Sequence, residues 1–172
     1  MLQSDPDVKK VERFTTQCLG ELRRAQALRP QIVAGVRART VDETLERYNE
    51  LLTAMHASYA LAGLMSEVHP DEAIRDAARE CEQEVAQFHS ELLLDREVYD
   101  ALAAVEVAGA DAETQRFLAH TLRDYRRAGV DQPPEVRTRL KQIDEELTKL
   151  GQSFSKTIAE DVRAIEDRKS VV

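Results

Sequence analysis

The feature that constrains this chain most is a long helical repeat in residues 133–166. The stretch opens with Pro133 and Pro134 and then contains no further proline. Its apolar side chains recur every three or four residues, the spacing that places them on one face of a helix. They are Val136, Leu140, Ile143, Leu147, Leu150, Phe154, Ile158, Val162 and Ile165. At ~1.5 Å per residue, such a helix would be about 50 Å long, which is more than one small bundle needs.

A coiled coil is the alternative interpretation of the same stretch. Residues 140–154 fit a heptad seam, but the next seam position holds Thr157 and the next apolar residue is Ile158. The strict repeat therefore ends after about two and a half heptads, short of the three or four that are typical of a coiled coil. We favour a helix that packs within its own molecule.

Length and charge limit the function classes. The chain has 172 residues, a net charge of −8 and no tryptophan, which fits one helix-rich domain or part of a larger one. The negative charge argues against a nucleic-acid or anionic-membrane surface. We interpret the basic pairs Arg23-Arg24 and Arg126-Arg127 as solvated helix faces. No run of 18 apolar residues is present, so no membrane span is expected.

Two observations favour a cytoplasmic location. The first residues, MLQSDPDVKK, lack the apolar segment of a secretory signal. Cys18 and Cys81 are the only cysteines, and each falls on an apolar helical face. We expect both to be buried, reduced thiols, as in a cytoplasmic protein.

Cap and breaker residues predict six helices, with breaks near residues 37–40, 66–70, 93–95, 106–111 and 129–133. Thr40 and Glu43 form a capping box, and Pro70 suits the first position of a helix. Asp95 and Asp111 are candidate N-caps, and Gly129 is a candidate left-handed terminator. No segment alternates with a period of two, so the predicted class is all-α.

Two further local predictions concern the first two helices. Pro30 should bend or divide the first helix, because it lacks an N–H and crowds the preceding turn. In the second helix, Tyr59 should point inward together with Leu45, Tyr48, Leu52, Met55 and Ala62, since these residues share one helical face.

The residues themselves contain no pattern that predicts an active site. The four histidines are His56, His69, His89 and His120, and none belongs to an H-E-x-x-H motif or follows a glutamate by three residues. No C-x-x-C, G-x-S-x-G or glycine-rich phosphate loop occurs. Acidic pairs such as Glu145-Glu146 and Glu160-Asp161 are interpreted as solvated faces. We therefore predict no catalytic, cofactor-binding or metal-binding residue in this chain.

Several blocks of sequence nevertheless resemble one family of enzymes. They are TVDETL (40–45), EVHPDEAIRDAARECEQEVAQFHSEL (67–92), DREVYDAL (95–102) and RFLAHTLRDYRRAGV (116–130). The long repeat adds its Pro-x-x-Val opening, the pair Leu147 and Leu150, and Phe154. In this order they resemble the N-terminal region of thimet oligopeptidase and oligopeptidase A-like zinc metallopeptidases. One departure is Thr157, where the family often has asparagine.

The resemblance implies a helical peptidase that continues for several hundred residues. In that family a catalytic half binds Zn²⁺ through H-E-x-x-H and a later glutamate, and the enclosed channel admits short peptides. Those ligands would lie beyond residue 172. This chain alone is therefore expected to bind no Zn²⁺ cofactor and to be inactive, as one channel wall that awaits a missing C-terminal catalytic half. A free-standing helical interaction module without catalytic activity is the alternative.

The domain organisation that follows is a helical region at residues 1–166, incomplete without its catalytic domain, and a non-native tail at 167–172. The tail DRKSVV can be encoded by GAT CGG AAG AGC GTC GTG, which matches a common sequencing adaptor. The nucleotide record tests this reading.

A missing half should also leave apolar surface uncovered. We expect Phe154, Ile158, Val162 and Ile165 to be less buried than Leu140, Ile143 and Leu147. By the same reasoning, Ile158→Asp should destabilise the protein less than Ile143→Asp, because a charge is costly only where water is excluded.

Overall fold

A computed structural model describes residues 6–34 and 39–161. Within these ranges the chain forms six helices and no strand, which confirms the predicted all-α class. The helices are α1 (Pro6–Val33), α2 (Glu46–Val68), α3 (Glu72–Leu93), α4 (Arg96–Ala103), α5 (Ala112–Ala128) and α6 (Pro134–Glu160). A turn of π-helix, Val41–Leu45, leads into α2. The tail at residues 167–172 lies outside the described residues.

Most helix ends follow the predicted cap residues. Asp95 accepts hydrogen bonds from the backbone N–H groups of Glu97 and Val98, and Asp111 does the same at the start of α5. Thr40 accepts from the N–H of Glu43 at 3.2 Å. These bonds satisfy N–H groups that have no partner within their own helix.

Two predictions about proline need correction. Pro70 precedes α3 rather than opening it, because Asp71 is the N-cap and accepts from the N–H of Ala73. Pro30 does not divide α1, which continues to Val33; that it bends the helix stays a prediction. Only one turn follows Pro30, so little helical bonding is lost there. Arg39 also donates to the terminal carbonyls of Ile32 and Val33.

The core lies between α1, α2 and α3, and α4 and α5 pack at its edge. Its fully buried side chains include Leu22, Ile32, Leu51, Val85 and Leu102. Such close-packed apolar burial is the main source of stability in a domain of this size.

An aromatic cluster joins α2 to α4 and α5. The ring of Tyr125 lies 6.2 Å from that of Tyr48 and 6.1 Å from that of Tyr99, measured between centroids. Burial raises the pKa of Tyr48 to about 12, so its hydroxyl stays protonated at neutral pH and the cluster is a packing feature.

The expectation of two reduced thiols is wrong. Cys18 of α1 and Cys81 of α3 are joined by a disulfide, with Cα atoms 6.6 Å apart. Both residues are buried, as predicted. The packing of α1 against α3 brings the two sulfurs together beside Ser58 of α2. The two cysteines are 63 residues apart in the chain, so the sequence alone does not show that they are close in the fold.

The last helix forms an outer layer on α3. Its 27 residues correspond to a length of about 40 Å. Gly129, with φ of 101°, ends α5 in the left-handed conformation and turns the chain towards Pro134. This is the terminator that the sequence predicted, and it sets the position of α6 over the body.

Candidate functional site

Among the described residues, an apolar stripe lies on the solvent side of α6. We call it the outer face and define it by Ile143, Leu147, Leu150, Phe154 and Ile158. These side chains are 39%, 60%, 66%, 69% and 61% exposed, respectively. A contiguous row of large apolar side chains on a surface marks an interaction site more often than a solvated helix does.

The outer face points away from the body because α6 packs on α3 through its polar side. Gln152 donates from its amide nitrogen to the backbone carbonyl of Arg79 at 3.0 Å and to Glu82 at 3.3 Å. Nearer the start of α6, Arg137 donates to the carbonyl of Leu94 at 2.9 Å. These bonds fix the rotation of α6, so its apolar stripe is turned to the solvent.

The expected gradient of burial along α6 holds only in part. Phe154 and Ile158 are exposed as predicted, and Leu140 is half-buried beside Gly129. Leu147, however, is as exposed as Ile158, so the prediction that Ile158 would be less buried than Leu147 is wrong. The apolar periodicity of α6 identified which side chains share one face, but it did not show whether a neighbouring helix covers that face. Val162 and Ile165 lie outside the described residues.

A groove of about 320 Å³ runs between α6 and the helices α2 and α3, and Leu147 is the residue of the outer face that lines it. Tyr59 of α2 forms its rim with Leu147 and Gly151 of α6. Tyr59 is exposed there, which corrects the prediction that it points inward. At its floor, desolvation raises the pKa of Glu82, and hydrogen bonds from Gln152 and Ser66 oppose that shift.

The four histidines do not converge on one site, although His56 and His89 lie near each other: partial desolvation lowers the pKa of His89, and the charge of His56 lowers it further. His56, His89 and His120 are exposed on three different helices, α2, α3 and α5. His69 is half-buried between α2 and α3, where its Nδ1 accepts from the backbone N–H of Asp71 at 3.1 Å. Across residues 6–34 and 39–161, no group of three or more His, Cys, Asp or Glu side chains is placed to hold a metal ion.

The charged pairs that the sequence singled out are mostly solvated. Arg23-Arg24 and Arg126-Arg127 are exposed, as expected, and so are Glu146 and Asp161. Glu145 is half-buried against α3. In the part of the chain that the structure describes, no helix is both long and apolar enough to cross a lipid bilayer.

In the residues that the structure describes, the fold is an all-helical module with an uncovered apolar stripe on α6, and comparison with known proteins relates it to peptidases. No protein-family model matches the chain. Mitochondrial intermediate peptidase of Pleurotus djamor is 27% identical over 157 residues, 86% of this chain. The peptidases of the same name from Malassezia globosa and Aspergillus clavatus are 26% and 25% identical, over 66% and 82% of the chain. The resemblance to this group of metallopeptidases is thereby confirmed.

The match covers most of this chain but little of its relatives. The chain spans 20%, 14% and 18% of the lengths of the three peptidases. The similarity therefore concerns only one part of each relative.

Proposed function

We propose that this chain is the N-terminal helical region of a zinc metallo-oligopeptidase that hydrolyses short peptides. One observation carries the proposal: the similarity runs through 66–86% of the chain, yet takes up only 14–20% of each relative. A catalytic half supplied by the remaining polypeptide is the partner that this proposal requires.

The role of this region is structural in the proposal. Zn²⁺ does not fit the described residues, because they place no group of three or more His, Cys, Asp or Glu side chains around one point, and His69 Nδ1 already accepts a backbone hydrogen bond at the start of α3. We assign the metal and its chemistry to the catalytic half and derive no catalytic step in this chain. Its helices would form one wall of the channel that admits peptides.

The proposal is tested first on the chain as it is. The purified 172-residue protein should bind no stoichiometric Zn²⁺ and cleave no member of a mixture of short fluorogenic peptides. Zinc content by atomic absorption and peptide cleavage are the two measurements. Stoichiometric Zn²⁺ together with cleavage that a chelator abolishes would mean that the chain holds its own site.

The second test is the genomic sequence around the coding region. An in-frame continuation that encodes H-E-x-x-H is the expected result, and the extended protein should cleave short peptides in a Zn²⁺-dependent way. A native stop codon with no such continuation would favour the alternative, a free-standing helical interaction module. The exposed outer face of α6 is the observation that supports that alternative.

A cytoplasmic location is part of the proposal, with mitochondria as the alternative that the relatives' names suggest. The Cys18–Cys81 disulfide removes the argument from reduced thiols. Fractionation of the source cells with an antibody to the chain distinguishes the two compartments, and recovery in the mitochondrial fraction would overturn the cytoplasmic proposal.

A further inference from the structure

We propose that the outer face of α6, together with the exposed second half of α2, is the surface on which the catalytic half of the same protein packs. This interface rests on the proposed function, because its occupant is the polypeptide that the proposed function requires beyond this chain. It adds one assignment: the outer face is a contact between two domains and not part of the peptide channel.

The outer face has the length and the chemistry of an interface between domains. From Ile143 to Ile158 it extends about 22 Å along α6, at ~1.5 Å per residue. Its five side chains are all apolar, and four of them are 60% exposed or more. A peptide-binding surface needs some polar groups that orient the ligand, and the outer face offers none. An apolar row of this kind is typical of a surface that another part of a protein covers.

The second half of α2 also has an uncovered apolar side. Residues 54–66 contain no Asp, Glu, Lys or Arg, although part of this stretch faces the solvent. Tyr59 and Leu64 are 55% and 57% exposed, and Val68, one turn further on, is 63% exposed. A helix that is apolar on all sides is normally covered on all sides. Helix α2 therefore indicates a further neighbour independently of α6.

One groove lies between these two helices. Tyr59 of α2 forms one side, Leu147 and Gly151 of α6 form the other, and Glu82 of α3 lies at the floor. A Cβ atom added to Gly151 would meet no heavy atom within 4 Å, so the α6 side of the groove is low at this point. A single element of a neighbouring domain can therefore contact α2 and α6 together.

The relatives' length and the area of the face both favour an occupant from the same polypeptide. This chain spans only 14–20% of each relative. Five large apolar side chains, each presenting on the order of 100 Å², give the outer face roughly 500 Å². With a matching partner surface this buries about 1,000 Å², within the roughly 600–1,500 Å² of interfaces between domains of one chain. A covalently connected domain also needs less area than a free partner, because the connection raises its effective concentration.

The test compares the 172-residue protein with the protein extended by its in-frame continuation. In hydrogen exchange followed by mass spectrometry, residues 143–158 should exchange more than about 10-fold more slowly in the extended protein, because a covered helix opens less often. This comparison uses the wild-type sequence, so it does not depend on the folding of any variant.

Substitutions locate the interface on α6 and α2. Leu150→Asp should leave the urea midpoint of the 172-residue protein nearly unchanged, because Leu150 is 66% exposed there. In the extended protein it should accelerate exchange of residues 143–158 by more than about 10-fold, since a charge is costly where water is excluded. Leu64→Asp tests the α2 side in the same way. Val8→Asp is the matched control, because Val8 is 50% exposed on α1, outside the interface, and should change neither measurement.

The outcomes separate this interface from the proposed function. An extended protein that cleaves peptides with Zn²⁺, but exchanges residues 143–158 as fast as the 172-residue protein does, would overturn the interface alone. Slow exchange in an extended protein that cleaves no peptide would support the interface and overturn the peptidase assignment. A native stop codon with no continuation would overturn both.

Discussion

At the residue scale, the disulfide between Cys18 and Cys81 is the strongest single constraint on the unfolded chain. Closing a loop between positions 63 residues apart should stabilise the fold by about 4 kcal/mol, because it removes conformations from the unfolded state. Reduction with dithiothreitol should therefore lower the urea midpoint of the wild type substantially. The measurement is urea unfolding followed by circular dichroism.

The control for this prediction is the double variant Cys18→Ala and Cys81→Ala. Its midpoint should be low with or without dithiothreitol, since it has no bond to reduce. Equal midpoints for the oxidised and reduced wild type would show that the disulfide contributes nothing to stability.

Glu82 gives a prediction for the pH dependence of stability. Desolvation raises its pKa in the folded state, so the folded protein binds this proton more tightly than the unfolded chain does. The charged carboxylate therefore destabilises the fold above the raised pKa, and this penalty disappears as the pH falls to the unfolded value of about 4.3. Glu82→Gln should raise the free energy of unfolding at pH 7 by a few tenths of a kcal/mol and change nothing near pH 4.

The matched control is Glu84→Gln, because Glu84 is exposed on the same helix. It should change stability equally little at both pH values. A loss of stability at pH 7 in Glu82→Gln would mean that the carboxylate's hydrogen bond from Gln152 outweighs its desolvation.

At the scale of elements, Gly129 is the connection that positions α6. Its φ of 101° suits glycine, and a Cβ atom there would lie 2.7 Å from Cδ1 of Leu140. Gly129→Ala should therefore cost about 1–2 kcal/mol in urea unfolding. Gly109→Ala, where nothing lies within 4 Å of the added atom, should change stability by less than about 0.5 kcal/mol. Equal effects at both glycines would contradict the assigned role of Gly129.

Element boundaries could be predicted because their signals are local. Asp95, Asp111 and Gly129 act on N–H and carbonyl groups within a few residues of themselves, so their effect is visible in sequence. The rotation of α6 could not be predicted in this way. Its apolar period is the same whether that face is covered or open, and the orientation is decided by Gln152 bonding to α3, 70 residues away at Glu82.

The outer face of α6 could likewise be predicted only in part from the sequence. The sequence predicted that Phe154 and Ile158 would be uncovered, and they are. It did not predict that the open surface would extend back to Leu147, nor that Cys18 and Cys81 would pair. Both depend on contacts between helices far apart in the chain. That Ile158→Asp destabilises less than Ile143→Asp stays a prediction, supported in direction by their exposures.

At the scale of the whole molecule, α6 should open more easily than the body. Helix α6 packs mainly on α3, and largely through polar contacts. The helices α1, α2 and α3, in contrast, share an apolar core. Local stability follows buried apolar contact. In hydrogen exchange followed by mass spectrometry, amides of residues 143–158 should exchange faster than those of residues 77–92. Equal protection of the two segments would mean that α6 unfolds only with the body.

The aromatic cluster also provides a built-in optical reporter. The chain has four tyrosines and no tryptophan, so its ultraviolet emission comes from tyrosine alone. The ring of Tyr125 lies 6.2 Å from that of Tyr48 and 6.1 Å from that of Tyr99, close enough for excitation energy to transfer between the rings and depolarise the emitted light. Separation of α2, α4 and α5 would restore the polarisation. Exposed Tyr59, beside α6, lies outside this cluster, so a rise in the polarisation of tyrosine emission reports the opening of the body without any label.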